Sequence, residues 1–165
     1  MKSTRAIDKT KVTYFIGVDV SKYWFDYTVL NNTSKVSQGR IDNNDEGFLA
    51  FERQLPSNGI RLDWNVLIII EDSGIYGELL VGFLSYKKSI LWVENPLKIK
   101  RSIGLTRGKS DKVDSQRIAE YSRRNLDKLI QYSKPRKQIR MLKELIGNRD
   151  RLVKAKRLLE CLYRK

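Results

Sequence analysis

The chain has 165 residues, 41% of them hydrophobic, and carries a formal net charge of +14. That length suits one domain with its own core plus an appended element, and the charge points to a polyanionic partner such as nucleic acid. Histidine is absent and cysteine occurs once, at Cys161, which excludes histidine-based metal sites, histidine general bases, Ser-His-Asp triads and an internal disulfide framework.

Residues 1–11 read as a flexible tail; they are polar and basic with no apolar stretch behind them, unlike a secretory signal. Val12 to Val20 is β-branched and aromatic and predicts a buried strand with an aspartate near its end. Tyr23 to Leu30 and Lys35 to Ile41 predict two more strands, close enough to form an antiparallel meander. Asn43-Asn44-Asp45 predicts the cap of a helix running to about Leu55, stopped by Pro56-Ser57-Asn58-Gly59. Trp64 to Ile70 is the most hydrophobic stretch and suits a central strand covered on both faces; no apolar run approaches the roughly 20 residues of a membrane span. A helix over 76–86, a short strand over 89–93 and a basic helix from Leu97 to Ile103 follow. Gly104 to Lys109 reads as a mobile loop, and a helix runs from Asp111 to about Arg124. The order predicts an α/β fold of RNase H-like (RuvC-like) type: three antiparallel strands, then parallel ones, with helices on both faces. This domain is expected over 12–130.

Residues 135–165 predict a long basic helix, a connector or coiled coil, with a heptad seam of Met141, Leu145, Asn148, Leu152, Ala155, Leu159 and Leu162. A helix that packs one apolar face on its own domain gives the same pattern. Charge separates the two regions: residues 1–116 hold 17 Lys and Arg against 14 Asp and Glu, residues 117–165 hold 16 against 5. The helix reaches Lys165 without a terminating glycine or proline, as if a longer protein continued.

Candidate chemistry lies in the acids at element ends. Asp19 falls near the end of the first strand and Glu71 directly after five aliphatic residues, while Asp111 and Asp114 sit three apart at a helix start, on one face. Phosphodiester cleavage needs an activated nucleophile and a stabilised leaving oxygen; two Mg²⁺ (or Mn²⁺) ions about 3.5–4 Å apart supply both and require converging carboxylates. Each acid also has a plain alternative. Asp19 can bond turn amides, and Asp111 and Asp114 can simply favour the positive end of a helix. Glu71 resists that reading, because a partly buried carboxylate needs a cation or a donor.

The segments, taken in order, resemble the N-terminal domain of the IS110/IS1111 group of DEDD transposases, which includes the Piv-type DNA invertases. The resemblance runs through Gly17-Val18-Asp19-Val20-Ser21-Lys22 with Phe25-Asp26, Asn43-Asn44-Asp45-Glu46-Gly47-Phe48, and Glu71-Asp72-Ser73-Gly74-Ile75-Tyr76. It continues through Val93-Glu94-Asn95-Pro96 and Lys109-Ser110-Asp111-Lys112-Val113-Asp114-Ser115 with Ile118-Ala119 and Tyr121. Ser73 and Ser110 stand where threonine is usual, and Ser115 where alanine is. The resemblance implies Mg²⁺-dependent DNA strand cleavage and exchange, with Asp19, Glu71, Asp111 and Asp114 as metal-binding acids. It also implies a structured guide RNA in some members, and a further domain with a catalytic serine that these 165 residues do not include. Lys22, Lys98, Lys100, Arg101, Arg107, Lys109 and Lys112 are the candidate nucleic-acid contacts. A homo-oligomer joined through the last helix, in the bacterial cytoplasm at the nucleoid, completes the expectation.

Three other readings compete. A Holliday-junction nuclease would share the four-acid layout. A sugar kinase or actin-like ATPase would need glycine- and threonine-rich phosphate loops such as D-x-G-x-T, and Asp19-Val20-Ser21-Lys22 has no glycine after the aspartate. A nucleic-acid-binding or dimerising scaffold would use the basic helix alone.

Overall fold

Five strands form one mixed sheet in the order β3-β2-β1-β4-β5. The computed structural model of the chain describes residues 8–103 and 111–163, side chains at 103, 111–113, 140, 143 and 163 excepted. The expected loop at Gly104 to Lys109 and the first seven residues of the expected tail lie outside the described residues. Strands β1 (Tyr14–Val20), β2 (Trp24–Leu30) and β3 (Lys35–Asp42) make the antiparallel meander. Strands β4 (Val66–Glu71) and β5 (Ile90–Glu94) add in parallel on the other side of β1. This is the RNase H-like arrangement, and β1 is its centre.

Side-chain alternation divides the core in two. Ile16, Val18, Val20, Ile68 and Ile70 face helices α1 (Asp45–Gln54) and α2 (Glu78–Leu84), where Phe48, Phe51, Leu80 and Leu84 meet them. Phe15, Leu67, Ile69 and Trp92 face the opposite layer, α3 (Pro96–Ile103) and α4 (Asp111–Arg124), through Ile99, Ile118, Ala119 and Tyr121. All five aliphatic residues of β4 are therefore buried, each contributing about 1.5–3 kcal/mol of apolar burial. That explains why β4 reads as a continuous hydrophobic run rather than an alternating one.

The expected element ends shift where local chemistry intervenes. β4 begins at Val66, because Asp63 closes a turn around the exposed Trp64: its carboxylate accepts the Trp64 N–H at 2.9 Å and its carbonyl the Val66 N–H at 2.9 Å. The helix expected over 76–86 is a 3-10 turn, Gly74–Tyr76, followed by the shorter α2. Gly74 at φ 66° sits in left-handed space that sets this turn rather than a longer helix. Within the expected tail, Lys9–Lys11 forms a 3-10 turn capped by Asp8, and Lys9 Nζ donates to the Asp127 carbonyl at 2.7 Å.

Helix α4 lies directly on β1. A Cβ at Gly17 would overlap the Ala119 backbone nitrogen and the Ser115 carbonyl, so only glycine permits this approach. Beside it, Thr28 and Ser115 share a buried hydrogen bond of 2.9 Å, which holds the helix at one register on the sheet. At the far end, Arg123 donates to the carbonyls of Asn31 and Asn32 at 3.4 and 3.3 Å.

The chain divides into two compact units, the first ending at Tyr132 and the second starting at Ser133. The second unit is helix α5 (Lys137–Tyr163). It begins after Pro135, whose ring disfavours helical backbone at the preceding residue. Its seam residues Met141, Leu145, Leu152, Leu159 and Leu162 are exposed, as are Ile139, Leu142, Ile146 and Leu158, so apolar side chains are not confined to one heptad stripe. No helix among the described residues is long and apolar enough to cross a membrane.

The Gly17 contact yields a direct test. Gly17→Ala is expected to lose about 2–3 kcal/mol in denaturant unfolding, as overpacking forces α4 off β1. Gly82→Ala, where a Cβ meets nothing within 4 Å, is expected to be neutral or stabilising.

Candidate carboxylate site

The sheet register places four acids in one line. Asp26 on β2 is directly opposite Asp19 on β1, and Glu71 on β4 is directly opposite Glu94 on β5. Val18 pairs with Ile70, so the next residues along, Asp19 and Glu71, are neighbours on parallel strands. Alternation points all four to the same side as Phe15, Gly17, Leu67 and Trp92, the face that α4 covers.

Helix α4 brings its own acids to this line. Ser115 and Ala119 sit over Gly17, and Arg123 lies at the Asn31–Asn32 end of the sheet. Stepping back along the helix from Ala119 through Ser115 to Asp114 and Asp111 therefore moves toward Asp19. Asp114 is one turn before Ile118, which is buried against the sheet. The backbone of Asp111 opens the helix, and its side chain lies outside the described residues.

The outer acids of the line carry their own partners. Asp26, only 2% exposed, accepts both Arg40 Nε and an Arg40 terminal nitrogen, at 3.0 and 2.8 Å, in a fork-to-fork pair. Glu94, 6% exposed, accepts the Asn95 backbone N–H at 2.8 Å, the Lys98 ammonium at 3.2 Å and the Tyr121 hydroxyl at 3.3 Å. Burial, with the Glu94 charge beside it, pushes the Tyr121 phenol up. Sequence reasoning passed over Asp26 and Glu94 as site-facing acids. The signal was positional: each pairs in register with a candidate acid, but cross-strand register is not readable from one strand at a time.

The inner acids are Glu71, Asp19 and Asp114. Burial pushes the Glu71 carboxyl above the usual carboxylate range; the Lys100 ammonium draws it back and the Asp114 charge pushes it further up. Asp19 is half-buried, and Asp114 accepts Arg117 at 3.0 Å. Asp72, next to Glu71, is exposed and turns away to accept the Gly74 N–H at 3.2 Å.

Of the basic residues expected to meet nucleic acid, Lys22 places its ammonium 4.8 Å over the Tyr23 ring. Lys98 is held by Glu94, and Lys100 and Arg101 are exposed on α3. Arg107, Lys109 and the Lys112 side chain lie outside the described residues.

Among the described residues no three acids converge tightly enough to hold a cation. The donor set nevertheless suits a hard divalent cation, because every candidate ligand is a carboxylate oxygen. The raised Glu71 carboxyl beside the Asp114 charge is the electrostatic condition that such a cation relieves.

The geometry defines an RNase H-like α/β domain with acids lined across its helix-covered face. The family model of the IS110-type DEDD transposases, described as Transposase, matches residues 16–162, and the chain belongs to that family. Among solved structures it is similar to T. thermophilus RuvC in complex with a Holliday junction substrate, at a TM-score of 0.47 and 8% identity, over 68% of this chain and 96% of that one. No curated protein matches the chain.

The electrostatics of Glu71 predict a pH signature in metal-free protein. Its pKa is higher folded than unfolded, so its contribution is fully present below the ordinary glutamate value of 4.5 and is lost as pH rises through the folded value. Glu71→Gln is therefore expected to melt above wild type at neutral pH and to converge with it in acid. Thermal melts across pH check this; a Gln variant less stable at neutral pH contradicts it.

Proposed function

We propose that the first unit is the metal-dependent, phosphodiester-cleaving domain of a DNA transposase, with Asp19, Glu71, Asp111 and Asp114 as its metal-binding acids. The observation that carries the reading is the placement of Asp19 and Glu71 one residue beyond the Val18–Ile70 pair, beneath the acidic start of α4, with Glu71 raised by burial and by Asp114. Mg²⁺ or Mn²⁺ bound there supplies charge neutralisation at the attacked phosphate and the leaving oxygen.

The protein's own residues do the rest. Asp19 and Glu71 present oxygens from neighbouring strands, whose spacing is fixed by the β1–β4 ladder. The α4 acids approach from above because Gly17 lets the helix down. Lys100 and Arg101, with Lys22, Arg107, Lys109 and Lys112, hold the phosphate backbone of DNA near the acids, and Lys98 does so after release from Glu94. The basic α5, with its exposed leucines, joins two copies of the chain and adds phosphate contacts. A structured guide RNA is a further polyanion that this surface suits. The site belongs in the bacterial cytoplasm, where DNA is accessible.

Two measurements test this. The double variant Asp19→Ala, Glu71→Ala is expected to lose Mn²⁺ binding in calorimetry and metal-dependent DNA cleavage, while keeping duplex affinity within about threefold, since phosphate contacts dominate affinity. Unchanged cleavage by that variant would sink the reading; lost DNA binding with metal binding intact would favour the scaffold alternative. Separately, Lys100→Ala and Arg101→Ala are each expected to reduce the slope of log affinity against log salt by about 1. An unchanged slope removes these residues from the interface.

A further inference from the structure

The segment Asn43-Asn44-Asp45-Glu46-Gly47-Phe48 contains one residue whose geometry the helix start does not explain. Asn44 is the N-cap, accepting the Gly47 N–H at 2.8 Å. Gly47 is small because a Cβ there would overlap the Asp42 carbonyl, and Phe48 fills the core. Asn43 serves none of these purposes. Its backbone N–H donates to the Tyr23 carbonyl at 2.8 Å, and its side-chain Nδ2 donates to the Ser21 carbonyl at 3.0 Å and the Tyr76 carbonyl at 2.9 Å. Both side-chain acceptors are carbonyl oxygens, so only the amide nitrogen can make these bonds and the side chain's orientation is unambiguous.

The two carbonyls belong to different loops. Ser21 lies two residues beyond Asp19, in the turn that Ser21 N–H closes onto the Trp24 carbonyl at 2.8 Å. Tyr76 lies five residues beyond Glu71, in the turn that Gly74 opens at φ 66°. One amide group therefore ties the loop after the Asp19 strand to the loop after the Glu71 strand. The arrangement has a cost: Asn43 Oδ1 is buried with no hydrogen-bond partner among the described residues. A side chain that needed only to fill space would not leave a buried acceptor unpaired. The two donor bonds are what the residue supplies.

We infer that Asn43 is a positioning residue, which clamps the loops following Asp19 and Glu71 and so keeps the two carboxylates at the separation that a shared divalent cation requires. The inference rests on the metal-binding reading of those acids. Asn43 touches neither acid nor substrate; it acts through the backbone at Ser21 and Tyr76. Loose loops would be expected to lower cation affinity, because outer-shell partners of carboxylate ligands set how well the ligands are pre-placed.

The test compares Asn43→Ala and Asn43→Asp with Asn44→Ala. Each Asn43 variant keeps the backbone bond to Tyr23 and loses the donors to Ser21 and Tyr76; the Asp variant also preserves shape, should Ala impair folding. Asn44→Ala removes the neighbouring cap and controls for general destabilisation. Hydrogen exchange and Mn²⁺ calorimetry are the two readouts. In both Asn43 variants, amides of residues 21–24 and 72–77 are expected to exchange about tenfold faster together, as two hydrogen bonds are lost. Mn²⁺ is expected to bind about tenfold more weakly. Asn44→Ala is expected to lower the melting temperature while leaving both readouts unchanged. Loosening of only one loop, or of neither, overturns the clamp. Loosening of both loops with unchanged Mn²⁺ affinity overturns the positioning role, as does an equal loss of affinity in Asn44→Ala. Wild-type chain whose Mn²⁺ binding does not depend on Asp19 and Glu71 overturns the metal reading, and the exchange data still report on the clamp.

Discussion

The close approach of α4 to β1 at Gly17 organises the rest of the molecule. With no Cβ in the way, the helix backbone lies against the central strand, and the buried Thr28–Ser115 hydrogen bond sets its register. The same contact fixes where the start of the helix falls, since Asp114 immediately precedes Ser115 and Asp111 is one turn earlier. A larger residue at Gly17 would not only cost stability; it would lift the helix acids away from the sheet acids. Packing and candidate chemistry are therefore consequences of one missing methyl group.

The line of acids across β2, β1, β4 and β5 would repel itself if left uncompensated. The molecule resolves this unevenly. Asp26 is neutralised by Arg40, and Glu94 by Lys98 with help from the Asn95 amide and the Tyr121 hydroxyl. These outer pairs also tie β2 to β3 and β5 to α3 and α4, so their charges contribute to holding the frame. At Glu71 burial outweighs the pull of Lys100, and the carboxyl is left harder to ionise. A half-buried acid kept in that state, next to others, is a poor choice for stability and a sensible one for binding a cation.

Much of the frame was legible in the sequence because it follows from local pattern. The alternating and continuous apolar runs marked β1 to β5, the Asn44 cap marked α1, and the acids at strand ends stood out because they interrupt apolar stretches. What was illegible depends on contacts distant in sequence. The pairing of Asp19 with Asp26 and of Glu71 with Glu94 requires strand register, and the meaning of Gly17 requires knowing that α4 passes over it. Asn43 reads as part of a helix cap until its two carbonyl partners, 22 and 33 residues away, are seen. The ends of α2 and β4 moved for local reasons, a left-handed glycine and an aspartate-closed turn, that competing apolar periodicity concealed.

On the proposed reading, the sheet acids and the α4 acids together hold a divalent cation. Anomalous diffraction from crystals of the chain soaked in Mn²⁺ tests it most directly. The expected result is an anomalous peak bonded to carboxylate oxygens of both Asp19 and Glu71, with an α4 acid completing the site. Well-occupied Mn²⁺ peaks elsewhere on the protein, with Asp19 and Glu71 ordered and held only by protein cations, would contradict it.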